Sequence, residues 1–95
     1  MGTYVILSVV SPEAFASPKE FRSISAKVSE LVKKECPNVK WKNSYATFGR
    51  FDIVDIVESD DVRQVARAAA IIRAYGHATT ETMEATEWKD FLESL

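Results

Sequence analysis

Phe48-Gly49-Arg50-Phe51-Asp52-Ile53-Val54-Asp55-Ile56-Val57-Glu58 is the stretch that decides how this chain folds. It opens with a glycine-containing turn, continues as a β-branched run suited to a strand, and stops at Ser59-Asp60-Asp61, side chains that cap helices. The residues before it read strand, helix, strand, and those after it read helix, strand, short helix. The stretch is therefore expected to be the central hairpin turn and third strand of a βαββαβ unit. That order predicts an α+β, ferredoxin-like sandwich: a four-stranded antiparallel sheet with two helices on one face, plus a short C-terminal helix. All 95 residues fall within this one domain, 1–95.

The flanking elements carry their own signals. Thr3 to Val10 is a nearly continuous apolar run, as in a strand central to its sheet. Phe15, between two Ser/Pro-containing turns, is expected to tuck against the domain. Ser17-Pro18-Lys19-Glu20 is a helix start with a capping serine, a proline at the first helical position and a glutamate placed for a capping box. Phe21, Ile24, Val28, Leu31 and Val32 come next as one apolar stripe, and Cys36-Pro37 ends the helix. Val39 to Thr47 alternates, with Trp41, Asn43 and Tyr45 on one side and Lys40, Lys42 and Ser44 on the other. Lysines along one side suit an edge strand. Gly49 makes the turn, and Phe51 to Val57 returns. Val62, Val65, Ala66, Ala69 and Ile72 predict the buried face of a second helix, closed by a left-handed glycine cap at Gly76. His77 to Ala85 reads as the last strand. A terminal helix from Glu87 to Glu93 presents Trp88, Phe91 and Leu92.

Composition excludes several classes. Apolar residues make up 46% and charged residues 27%, an ordinary globular balance, and the net charge of −2 gives no electrostatic footprint for nucleic acid. No apolar run approaches the roughly 18 residues of a membrane span, so no membrane association is expected and the expected location is the cytoplasm. One cysteine cannot make an internal disulfide, and a single histidine leaves no metal-ligand set; neither a metal nor a cofactor is expected.

Both central strands are apolar on both faces: Val5, Leu7 and Val9 against Tyr4, Ile6 and Val10 in the first, Val54 and Ile56 against Phe51, Ile53 and Val57 in the third. Two helices cover only one face, so the other is expected to pack on a second copy, giving a homodimer or higher homo-oligomer of the dimeric α/β barrel type. Ser8 and Asp55 interrupt these aliphatic runs. A buried carboxylate must be paired, hydrogen-bonded or protonated, so Asp55 is expected either in a solvated pocket between the sheets or at a rim.

At Gly49-Arg50-Phe51-Asp52 the chain resembles the GYD domain family, small proteins named for a Gly-x-Tyr/Phe-Asp-like turn at this place. The resemblance extends through Thr3-Tyr4-Val5-Ile6-Leu7, Tyr45-Ala46-Thr47-Phe48-Gly49, Ile56-Val57-Glu58 and Thr80-Glu81-Thr82. It implies a ferredoxin-like, dimeric barrel fold with no established activity. Three positions depart from the family pattern: Phe51 replaces a tyrosine, Thr79 stands where a basic residue is common, and Asp55 where an aliphatic or small residue is usual.

The leading functional expectation is a dimeric module that binds or senses a small molecule, with Tyr4, Trp41, Tyr45, Arg50, Phe51, Asp52, Asp55 and Glu81 as candidate contacts. For Arg50 and Asp52 the simpler role is a mutual pair, or carboxylate acceptance of turn amides; for Glu81 it is a surface charge on an edge strand. The alternative is a cofactor-independent enzyme, similar to dimeric-barrel monooxygenases and isomerases, with Asp55 or His77 as base. RNA binding ranks third, because the third strand lacks the aromatic stacking pattern of RNA-recognition motifs.

Overall fold

The computed structural model describes residues 1–95, apart from the side chain of Phe15; the expected tucking of Phe15 concerns a side chain outside those described. The elements run β1 (Gly2–Val10), a 3-10 turn (Pro12–Phe15), α1 (Pro18–Glu35), β2 (Lys40–Ala46), β3 (Ile53–Ser59), α2 (Val62–Tyr75), β4 (Ala78–Ala85) and α3 (Trp88–Glu93). All strand pairs are antiparallel, in the order β2-β3-β1-β4. This is the expected ferredoxin-like order, with the apolar β1 and β3 inside and the lysine-bearing β2 at an edge.

Capping sets where the helices begin. Ser17 Oγ accepts the Glu20 amide at 3.4 Å, while the return bond that would complete a capping box is not formed. Ser59 Oγ accepts the Asp61 amide at 3.0 Å, and Asp61 Oδ1 accepts the Arg63 amide at 3.0 Å, so Asp61 rather than Ser59 is the cap of α2.

Packing of α2 differs from the expected stripe. Val65, Ala68, Ala69, Ile71 and Ile72 are buried, whereas Val62 and Ala66 are exposed. The helix is wedged between two partners, and each takes its own side. Val65 and Ile72 join Ile6 and Val57 of the sheet, while Ala68 and Ile71 join Val32 and Cys36 of the α1 end. A stripe drawn for one partner misses the second. Burial pushes the Cys36 thiol up, against the Arg67 guanidinium, which pulls it down; with its side chain inside this cluster, Cys36 has a packing role.

In contrast, α1 packs mainly on α2 and on the 3-10 turn rather than on the sheet. Its stripe residues Phe21, Ile24, Val28 and Leu31 are only partly buried, and Val32 alone is fully so. The helix is thus held off the strands it spans.

Gly76 ends α2 in right-handed geometry, φ −94°, and the positive φ of 53° falls on His77 instead. Glycine is required there for closeness, not handedness: a Cβ at position 76 would lie 2.5 Å from the Ile72 carbonyl oxygen. Gly76→Ala is expected to cost about 1–3 kcal/mol as an overpacking substitution, read as a lowered urea midpoint with unchanged slope. An unchanged midpoint would show that the helix end has room to yield.

Candidate functional site

Asp55 sits in the middle of β3, opposite Ile6 of β1 and Ser44 of β2, with its side chain on the helix-covered face. It is 6% exposed. A carboxylate there must find donors, and β2 supplies them through an irregularity. The β2–β3 ladder pairs Tyr45 with Val54 and Ser44 with Asp55, but its register shifts between Trp41 and Asn43, leaving Lys42 as the extra residue of a bulge. A regular ladder would set Lys42 opposite Val57; the bulge sets Trp41 there, on the same face as Ser44. The Ser44 hydroxyl donates to Asp55 Oδ1 at 2.6 Å, and the Trp41 indole N–H lies 3.0 Å from the same oxygen and 2.9 Å from Ser44 Oγ. Displaced Lys42 reaches Glu58 at 3.9 Å, an exposed pair of little energetic weight.

Above this cluster, the gap left by α1 is a cavity of about 480 Å³. Asp55, Ser44, Trp41 and Ser8 form its polar side, and Ile24, Val28, Val32, Val39, Ile53 and Ile72 line it with apolar surface. That size and mixture suit a small organic ligand. Ser8 is 0% exposed, and its hydroxyl has no hydrogen-bond partner among the described residues. A larger concavity of about 1020 Å³ lies between α2 and β4, lined by Tyr4, Arg73, Thr82 and Glu84 among others. It contains no unpartnered buried polar atom among the described residues. The chemistry therefore concentrates under α1.

Of the candidate ligand contacts drawn from sequence, only Trp41 and Asp55 come together here, joined by Ser8, the other interruption of the aliphatic runs. Asp55 lies neither between stacked sheets nor at a rim, but under α1, on the face opposite the open one. Trp41 and Tyr45, expected on one side of β2, are on opposite sides: the bulge turns Trp41 inward, and Tyr45 stays on the open face beside Val54. Tyr4 borders the α2–β4 groove, and Glu81 is exposed on the open face of the edge strand β4, opposite Leu7. His77 is exposed, and the cavity lining includes its neighbours Gly76 and Ala78 but not His77 itself. Arg50 and Asp52 do not pair. Arg50 stands over the Phe51 ring at 5.7 Å, and Asp52 reaches across to β1, its Oδ2 accepting the Val10 amide at 2.7 Å. The Asp52 amide also donates to Ser8 O at 2.8 Å, and its carbonyl accepts the Thr47 amide at 2.9 Å. Asp52 thus clamps the hairpin to the end of β1. Ser44 is not among the candidates drawn from sequence; the need of Asp55 for a donor directly across the hairpin is the signal that finds it, once the register is known.

No helix among the described residues is long and apolar enough to cross a membrane, and none of their His, Cys, Asp and Glu side chains form a group of three or more that could hold a metal.

Comparison with known proteins agrees with the turn and topology. A family model described as the GYD domain matches residues 4–95, and the chain belongs to the GYD domain family. A protein of Thermus thermophilus named glutamine synthetase and cystathionine beta-lyase binding protein is 26% identical over 95 residues, covering 100% of this chain and 99% of the relative. The crystal structure of FFRP-DM1 superposes with a TM-score of 0.58 at 28% identity, covering 90% of this chain and 100% of the other. A Streptomyces coelicolor protein shares the fold at 13% identity, with a TM-score of 0.54 over 88% of this chain and 96% of its own.

If Asp52 is a clamp rather than a ligand contact, Asp52→Ala strands the Val10 amide and lowers stability by about 1–3 kcal/mol, measured by urea unfolding. Trp41 fluorescence in the folded state should be unchanged. Altered native fluorescence without loss of stability would contradict the clamp.

Proposed function

We propose that this protein is a binding module that holds a small molecule in the cavity under α1 and associates with a second copy through its open sheet face. The observation that carries the ligand site is a buried carboxylate and an unpartnered buried hydroxyl lining one cavity with apolar walls. For the association, the support is the open face itself. Val5, Leu7, Val54 and Ile56 form its centre, with Val9, Tyr45 and Met83 exposed around them, more aliphatic surface than a lone sheet usually leaves to water. A role by binding also accords with the Thermus thermophilus relative, named for binding two enzymes. The enzyme reading has less support: Asp55 Oδ1 is already engaged by two donors, and His77 does not line the cavity.

A thermal-shift screen of metabolites tests the module directly, because any ligand of the folded state alone raises its melting point. Ser25→Phe, which places a ring at the cavity wall, should abolish the shift of a hit and leave the dimer intact. Leu7→Glu, in the middle of the open face, should give a monomer by light scattering and keep the shift. A monomeric wild type at micromolar concentration would reject the association, and a screen with no hit would reject the ligand site.

A second surface favours a protein partner. The Trp88 and Phe91 rings of α3 pack on each other, centroids 5.6 Å apart, yet Trp88, Phe91 and Leu92 are all exposed. If these residues dock another protein, as the name of the relative suggests for glutamine synthetase, Trp88→Ala should weaken binding to purified glutamine synthetase at least about tenfold. Equal binding by wild type and variant would remove α3 from the interface.

A further inference from the structure

We infer that the cavity under α1 takes a small primary amine in its ammonium form, its head set between Asp55 and Ser8 and its aliphatic or aromatic body against α1. The inference rests on the cavity being the ligand site proposed above.

Asp55 sets the charge that a ligand has to meet. Its two hydrogen-bond donors, the Trp41 indole and the Ser44 hydroxyl, are both neutral and both meet Oδ1; Oδ2 receives no hydrogen bond among the described residues. The ion pairs among those residues are Lys42 with Glu58 and Arg63 with Asp61, and neither includes Asp55. Lys33 is the one cation in the cavity lining, and it is exposed. A buried carboxylate held only by neutral donors leaves room for a positive ligand, which gains a charge-assisted hydrogen bond there.

Geometry narrows the head group. On the helix-covered face Asp55 is opposite Ile6, and Ser8 is opposite Ile53, so Asp55 and Ser8 are diagonal neighbours across β3 and β1. Diagonal neighbours stand about 7–8 Å apart, which leaves room for one small group between these two short side chains. An ammonium has three N–H donors: one can meet Asp55 Oδ2 and a second Ser8 Oγ, satisfying the two acceptors that the fold leaves open. A metal ion would need further anionic ligands, and none cluster here among the described residues. Around this head-group position the lining is mainly aliphatic, with Ile24, Val28, Val32, Val39, Ile53 and Ile72, and suits an apolar body; Ser25, Ser29 and Lys33 are its other polar members.

The test compares 2-phenylethylamine and n-hexylamine with the neutral 2-phenylethanol and n-hexanol. Binding is read by thermal shift and by Trp41 fluorescence in a Trp88→Phe background. The amines should bind at least about tenfold more tightly than the alcohols of the same body. Asp55→Asn, which keeps an oxygen for the Trp41 and Ser44 donors but loses the charge, should erase that preference, and Ser8→Ala should reduce it. Equal binding of amine and alcohol to the wild type would overturn the ammonium inference while leaving a small-molecule site in place. So would a metabolite hit of other chemistry with no response to either amine. No response to any probe or metabolite would overturn both. The amine–alcohol comparison needs no variant, so the inference stands or falls even if Asp55→Asn does not fold.

Discussion

A carboxylate on the covered side of a central strand has to be supplied with donors, and most of the local architecture follows from how that is done. Ser44 is directly across the hairpin from Asp55 and gives one short hydrogen bond. The second donor, the Trp41 indole, reaches Asp55 because β2 holds one residue more than its partner strand at that point. A tryptophan beside a serine and an aspartate also takes up space, and α1 is packed on α2 rather than pressed onto these strands. The cavity, its polar side and the half-buried state of the α1 stripe thus belong to one arrangement.

The opposite face obeys another logic. There the alternation of the strands collects aliphatic side chains with no helix to cover them, while Asp52 and Thr47 close the hairpin at the sheet end. The two faces of one four-stranded sheet therefore serve separate purposes in the proposed scheme, a ligand on one and a second copy on the other. They are coupled through the backbones of the strands they share. Their side chains alternate, so a substitution at Leu7 need not disturb Ile6 or Ser8 beside it.

Much of this is legible in the residues. The order of elements comes from signals that act locally: the β-branched runs of β1 and β3, Ser17-Pro18 at the start of α1, and Pro37 after its end. Asp55 stands out because a charge within an aliphatic run has few explanations. What cannot be read depends on contacts distant in sequence. Face alternation in β2 assumes a regular ladder, and a bulge leaves no mark in composition. A single α2 stripe supposes one partner, whereas Ala68 and Ile71 face a second helix. At Gly76 the need for glycine is recognisable, but its cause is the nearness of the Ile72 carbonyl and not a left-handed turn. Asp52, expected to serve its own turn, instead serves the neighbouring strand.

The bulge also bears on how this chain is matched to its relatives. Trp41 and Ser44 are three residues apart yet share a face, a separation that in an unbroken strand would put them on opposite sides. A relative without the extra residue would build the same pair as Trp-x-Ser, with one position fewer. Aligning the two without a gap would set Trp41 against a residue pointing the other way. Homology at this site is then a matter of counting along the backbone, and equivalence has to be assigned by facing direction before identities are compared.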